Sequence, residues 1–275
     1  MKKTVKIIAI IVSVLLIAGL LFIANAFVGN PVSKMIVINN AKEYVETNYK
    51  ETDYYVNRVG YDFKTGRYYA NIKSPSSADT YFSVSFDMLG NLGRDSFPTR
   101  VADGFNTWDR INSEYRAVTD EIIENLPYKS DINYGEIQTL DKGNNIINFG
   151  LDMSSLELDK VYDIKELGSK YGKVILYIYV DEITAEKASE VLFEVKNQFH
   201  EKNQAFYAID LVLRLPKNED VKDWQDTEKI KLECFLYSDI TEQNLIENVK
   251  ASIIATERYY EEMDAGKEFE LSENE

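Results

Sequence analysis

His200 is the single histidine of this 275-residue chain and Cys234 its single cysteine, so any base-activated nucleophile would have to draw on one or both. His200 stands beside Glu201 and Lys202 after an amphipathic stretch, which reads as the exposed polar end of a helix. Cys234 alternates with Ile230, Leu232 and Leu236, which reads as a small core residue of a strand. One cysteine makes no intramolecular disulfide, and one histidine supplies no multi-histidine metal site.

Carboxylates are plentiful, 46 against 31 lysines and arginines, and some pairs must fall close together by number alone. Asp152, Glu157 and Asp159 could offer oxygens to Ca²⁺, but they lack the ligand spacing and the glycine of an EF-hand loop. No GxGxxG, P-loop, HExxH or GxSxG pattern occurs. The residues therefore assign no catalytic site, no metal site and no cofactor.

The unusual supply is tyrosine, nineteen in all, eight of them from Tyr44 to Tyr81. A tyrosine ring buries apolar area while its hydroxyl stays wet, which suits protein or glycan recognition, although tyrosine also fills half-buried sheet positions through strand propensity alone. Tyr69 and Tyr81 fall on the polar side of alternating strands and are the candidate binding residues.

The elements that must position them begin with an apolar run. Ile7 to Val28 carries no charge, and as a helix it would be ~33 Å long, enough for a ~30 Å hydrocarbon layer. Lys2, Lys3 and Lys6 precede it, and the positive-inside rule keeps them cytoplasmic with the C-terminal body outside. Ala24-Asn25-Ala26 fits a signal-peptidase site, but the run exceeds a usual signal-peptide core, which favours an uncleaved single-pass anchor in the cell membrane. The formal net charge is −15, and setting aside the three lysines before the run leaves −18 on the body. So acidic a body repels nucleic acid, which is not an expected partner.

Gly29-Asn30-Pro31 predicts a break and a restart, with Asn30 as N-cap and Pro31 at the first position of a helix to about Tyr49. Met35, Ile38, Ala41 and Val45 form its apolar stripe, widened by Val37 and Tyr44. Strands are expected over Tyr54 to Phe63, Arg67 to Lys73 and Thr80 to Phe86. A helix carrying Trp108, Ile111, Tyr115, Val118, Ile122 and Leu126, ending at Pro127, would cover them.

The second half predicts strands at Ile132 to Leu140 and Ile146 to Leu151 around an Asp141 to Asn145 turn, a short helix from Asp163 to Lys170, and a fully buried strand from Val174 to Val180. A Thr184-capped helix, strands at Phe206 to Leu215 and Ile230 to Tyr237 around an acidic connection with Trp224, and a last helix opened by Asp239 and Glu242 complete it. The expected class is α+β. Residues 1–29 form an anchor, 30–128 an α-β-β-β-α domain and 129–265 a second α+β domain, each a mainly antiparallel sheet covered by helices, with 266–275 as an acidic tail.

Three stretches carry a resemblance: Phe27-Val28-Gly29-Asn30-Pro31-Val32-Ser33-Lys34, Lys73-Ser74-Pro75-Ser76-Ser77-Ala78-Asp79-Thr80 and Gly104-Phe105-Asn106-Thr107. Lys170-Tyr171-Gly172 and Thr184-Ala185-Glu186 extend it to the C-terminal half. Together they resemble the YfjL-like family. That resemblance implies a membrane-anchored protein of low-GC Gram-positive bacteria with two small α+β domains and no assigned chemistry. The expected function is a non-enzymatic binding or accessory role in the cell envelope, with an envelope protein or glycan as partner. The alternatives are a carboxylate-based hydrolase of wall polymers, or, by fold analogy, a peptidase-regulating module.

Overall fold

The structure, a computed structural model, describes residues 2–140, 146–216 and 229–272. They form two compact units, Met1–Thr107 with Leu156–Asp159, and Trp108–Ser155 with Lys160–Glu275. The class is α+β, with a long apolar N-terminal helix followed by two four-stranded sheets and their helices.

In the first unit α1 spans Lys2–Val28 and α2 spans Pro31–Asn48. Between them Gly29 adopts φ 69°, and Asn30 caps α2 by accepting from Ser33 N at 2.7 Å. The buried stripe of α2 is Ser33, Val37, Ala41 and Val45, an i, i+4 row. Met35 was expected in this stripe and is instead exposed, because two residues of helix turn it ~200° from Ser33 and Val37.

Four antiparallel strands follow in a meander: β1 (Tyr55–Asp62), β2 (Arg67–Lys73), β3 (Tyr81–Phe86) and β4 (Leu92–Asp95). Tyr68, Ala70 and Ile72 of β2 and Phe82, Val84 and Phe86 of β3 face α2. The short β4, which its glycine and exposed pattern hid in the sequence, leads into a π-helical turn at Pro98–Ala102. At the C-terminal end of α2, Tyr49 packs its ring 5.2 Å from Phe82 and 5.0 Å from Phe97.

The helix α3 (Phe105–Ile123), read from sequence as the cover of the first sheet, belongs to the second unit from Trp108 onward. Ile122, Ile123 and the following Leu126 enter the second core. Its polar residues explain this, since Trp108 Nε1 donates to Ile137 O at 2.9 Å and Asn112 Oδ1 accepts from Ile137 N at 2.8 Å. Gly135 leaves the room that the Thr119 side chain fills.

The second sheet runs in the order β5 (Lys129–Ile137), β6 (Gly172–Tyr179), β7 (Ala208–Arg214), β8 (Lys229–Leu236). Only β6 and β7 pair in parallel, joined by α5 (Ala185–Glu201), which Thr184 caps through Lys187 N. The α4 helix (Ile164–Tyr171), capped by Asp163, precedes β6. The last helix, α6, spans Leu245–Ser272.

Three expectations fail here. Ile146 to Leu151 is not a strand and makes one isolated bridge, Leu151 with Thr139; the turn at 141–145 and the Trp224 connection lie outside the described residues. Asp239 lies in a 3₁₀ turn, Tyr237–Asp239, so the last helix starts several residues after the expected capping box. The expected tail at 266–275 is helical as far as Ser272.

Candidate functional site

The β2–β3 register sets Asn71 opposite Ser83 and Lys73 opposite Tyr81, and the β1–β2 register sets Arg58 opposite Asn71. Residues directly opposite in an antiparallel pair share a face, so these five side chains lie together on the side away from α2. Beyond β3 the ladder is continued by Ser96, whose Oγ accepts from Ser83 N at 2.8 Å and donates to Ser83 O at 3.0 Å. The π-helical turn then brings Arg100 alongside, its guanidinium 4.5 Å from the Phe105 ring centroid.

Together these residues line a shallow groove of about 400 Å³. Three cations, Arg58, Lys73 and Arg100, surround it, with Asn57, Asn71, Tyr81, Ser83 and Ser96. No carboxylate is among its described lining residues, although the chain carries a net −15. The chemistry this offers is recognition of an anion flanked by hydroxyls: guanidinium and ammonium for the charge, amides and hydroxyls for the neighbours, and a tyrosine ring for a platform.

Tyr69 lies on the same face, opposite Ser85 and Gly60, but four residues from Lys73 along β2, ~13 Å away at strand rise. Its hydroxyl is 3.5 Å from Thr65 Oγ1, at the β1–β2 turn. Tyr81 is thus in the groove and Tyr69 is at the other end of the face. Alternation could place Tyr81 from sequence; Arg58 and Arg100 come from other elements, which register alone brings in.

The second unit holds a buried charge cluster on the sheet face opposite its main core. Lys173 Nζ lies 2.5 Å from Asp210 Oδ2, with side-chain exposures of 8% and 15%. Asp210 Oδ1 accepts from Cys234 N at 2.8 Å. Glu233 comes within hydrogen-bonding reach of Asp210 and accepts from the Tyr260 hydroxyl.

A β-bulge produces this arrangement. The β7–β8 pairing shifts between Ile209 and Leu211, and Cys234 takes φ 51°, so Leu232 and Phe235 point into one core while Cys234 and Leu236 turn to the other side. Cys234 therefore does not share a face with Ile230 and Leu232 as alternation predicted. It is buried with Phe149 and Ala208, and burial, followed by the Asp210 charge, pushes its thiol up to about 11.

Burial and then the Asp210 charge raise the Glu233 carboxyl above its ordinary value. Its protonated form can donate to Asp210, and the folded state prefers that form. The stability this confers is present below the ordinary glutamate range and is lost as pH rises through the raised folded value. Glu233→Gln, which keeps a donor toward Asp210 and an acceptor toward Tyr260, should therefore stabilise the protein at about pH 8 relative to wild type and have little effect at about pH 4. Urea denaturation at the two pH values checks this, and an equal loss at both would contradict it. Asp210 is already engaged by Lys173, so the two carboxyls are not a free acid and nucleophile pair of the glycosidase kind.

The other residues weighed for chemistry are apart. His200 is exposed at the end of α5. Asp152 accepts from Ser154 N and Oγ, while Asp159 exchanges backbone-to-carboxylate hydrogen bonds with Asp79 at 2.9 and 3.0 Å.

Comparison with known families bears on the whole chain. The family model of the YfjL-like N-terminal domain matches residues 2–92, and that of the YfjL-like C-terminal domain matches residues 114–250. The chain belongs to the YfjL-like family. No curated protein and no solved structure matches it.

The stretches that carried the resemblance do structural work in this YfjL-like chain. Ser74 Oγ donates to Asp53 Oδ1 at 2.6 Å and Ser77 Oγ to Thr80 Oγ1 at 2.7 Å, closing the β2–β3 connection. Asn106, fully buried, donates to the carbonyls of Asp79 and Tyr81, which fixes the end of β3 that presents Tyr81 to the groove. Asn106, from one of these stretches, thus supports the Tyr81 end of the groove from behind.

Proposed function

We propose that this YfjL-like protein is a single-pass, membrane-anchored binding module of the cell envelope, whose extracytoplasmic first domain captures an anionic glycan in the groove of β1–β3. The observation that carries the reading is three cations and, among the described residues, no carboxylate around a tyrosine- and serine-lined groove in a strongly acidic chain. Glycans bearing phosphate or carboxylate groups fit that combination of charge, hydroxyl partners and aromatic platform.

The anchor reading rests on α1, which is long and apolar enough to cross a membrane, and whose most apolar stretch is not buried by the rest of the protein. A core helix of a soluble protein would be covered. The lysines before it support an extracytoplasmic body. The mass of the mature protein from cells tests this directly: a chain beginning at Met1 supports an anchor, and one beginning at Phe27 replaces it with secretion.

Calorimetry of the full chain with phosphate- or carboxylate-bearing wall glycan fragments tests the groove. Arg58→Ala should weaken binding roughly tenfold to a hundredfold, the cost of one charge-assisted hydrogen bond. Tyr81→Ala should weaken it less, and Tyr69→Ala, at the far end of the face, least. Binding that ignores Arg58 and Tyr81 would sink the proposal.

A further inference from the structure

The exposed apolar side chains of the first unit are concentrated at one end. The exit of α1 leaves Phe27 and Val28 exposed, the latter at 75%. The first turns of α2 add Val32, Met35 and Ile36. The β1–β2 turn adds Phe63, and the β3–β4 turn adds Met88, Leu89 at 77% and Leu92. Apart from α1 itself, the other exposed large apolar residues described in this unit are Tyr55 and Leu158.

These segments are tied to one another. The Phe27 and Phe63 rings pack with centroids 5.9 Å apart, and the Tyr61 hydroxyl donates to Ala26 O at 3.2 Å. The buried Tyr68 hydroxyl accepts from Asn30 N at 2.7 Å and donates to Asn30 O at 3.1 Å. A Cβ on Gly29 would lie 2.5 Å from that hydroxyl and 2.8 Å from the Tyr61 ring, so the junction is packed against the sheet. Asn40 Nδ2 donates to Gly90 O at 2.9 Å, which holds the β3–β4 turn on α2.

The charges at this end suit a lipid surface. Lys34 and Lys64 are exposed beside the apolar residues. The turn carboxylates are engaged within their own turns: Asp62 accepts from Lys64 N and Thr65 Oγ1, and Asp87 accepts from Leu89 N, Asn91 N and Asn91 Nδ2.

We infer that this end is a collar that seats in the headgroup and upper acyl region of the bilayer the anchor crosses, with Phe63 and Leu89 inserted around the exit of α1. The inference rests on the membrane-anchor reading of α1. A bilayer is the occupant because the patch is continuous with the apolar surface of α1 and no slack separates them. Interfacial segments of this composition, apolar tips with flanking lysines, bind by burying apolar area at the acyl boundary.

Spin labels on the full chain in mixed phosphatidylcholine and phosphatidylglycerol bilayers test it, one introduced cysteine at a time, at Leu15, Phe63, Leu89 and the exposed Lys50. Buried Cys234 stays unlabelled in the folded protein. Labels at Phe63 and Leu89 should resemble Leu15, accessible to oxygen and shielded from a nickel chelate, while Lys50 shows the reverse. If Leu15 reads lipid but Phe63 and Leu89 read water, the collar is overturned and the anchor stands. If Leu15 also reads water, the anchor falls with it. Shielding of Phe63 and Leu89 from both reagents would mean a protein contact and also overturn the collar.

Discussion

Lys173→Met should destabilise the protein by about 3–5 kcal/mol, the usual cost of stranding a buried charge. Lys173 leaves β6 into a nearly closed space where its ammonium meets Asp210, with Glu233 beside them. Burial works to lower the lysine pKa, but the charge and hydrogen bond of Asp210 outweigh it and hold the ammonium above its ordinary value. A raised lysine contributes stability that is complete below the ordinary lysine range and lost as pH rises through the folded value, so at neutral pH the whole effect is present. Against a typical total of roughly 5–15 kcal/mol, the loss is severe. Urea denaturation measures it, and the double variant Lys173→Met with Asp210→Asn supplies the control. The amide still accepts from Cys234 N while removing the stranded charge, so the double variant should recover part of the loss. A single variant within about 1 kcal/mol of wild type would show that Asp210 is not dependent on the lysine.

Asp95→Ala should cost roughly 2–4 kcal/mol, because one carboxylate serves three donors. Oδ2 accepts from the hydroxyls of Tyr44 at 2.8 Å and Tyr49 at 2.6 Å, and Oδ1 accepts from Phe97 N at 2.7 Å. These bonds join α2 to the end of β4 beside the aromatic cluster. Burial, and then the bond to and charge of Asp95, raise the Tyr44 hydroxyl to about 12. A raised tyrosine confers stability below its ordinary value near 10 that disappears as pH climbs through the folded one. Wild type should therefore weaken on strong alkalinisation, and the variant should show less of that weakening on top of its lower baseline. Ultraviolet titration gives a second readout, with Tyr44 ionising at lower pH in the variant. An unchanged titration would contradict the assigned bonds.

What the sequence revealed and what it hid follow from how far each signal reaches along the chain. Asn30 and Thr184 announced their helices because a cap acts on a donor only a few residues away. The alternation of β2 and β3 gave both faces of the first sheet and put Tyr81 on the polar one. The bulge at Cys234 defeated the same rule, since a single added residue reverses the parity of everything beyond it. The allegiance of α3 was hidden because its apolar stripe is equally suited to either sheet, and the deciding contacts, Trp108 and Asn112 on Ile137, are polar and distant in sequence. Lys173, Asp210 and Glu233 lie on three different strands, and no sequence motif joins them. Asp210 between Ile209 and Leu211 was the one local hint, a carboxylate in the middle of an otherwise apolar strand.

The direction in which β2 runs sets a height. Its first residue, Arg67, lies at the collar end and its last, Lys73, lines the groove, and seven residues at strand rise cover ~20 Å. With the collar seated at headgroup depth and the strand upright, the Lys73 end of the groove would stand more than two Debye lengths above the lipid phosphates at physiological salt, ~8 Å each, and Arg58, opposite Asn71, would stand ~13 Å up, more than one. On the proposed reading, anionic lipids would then have little hold on Lys73 and a screened one on Arg58, and the groove would sample only polymers that pass at that fixed altitude.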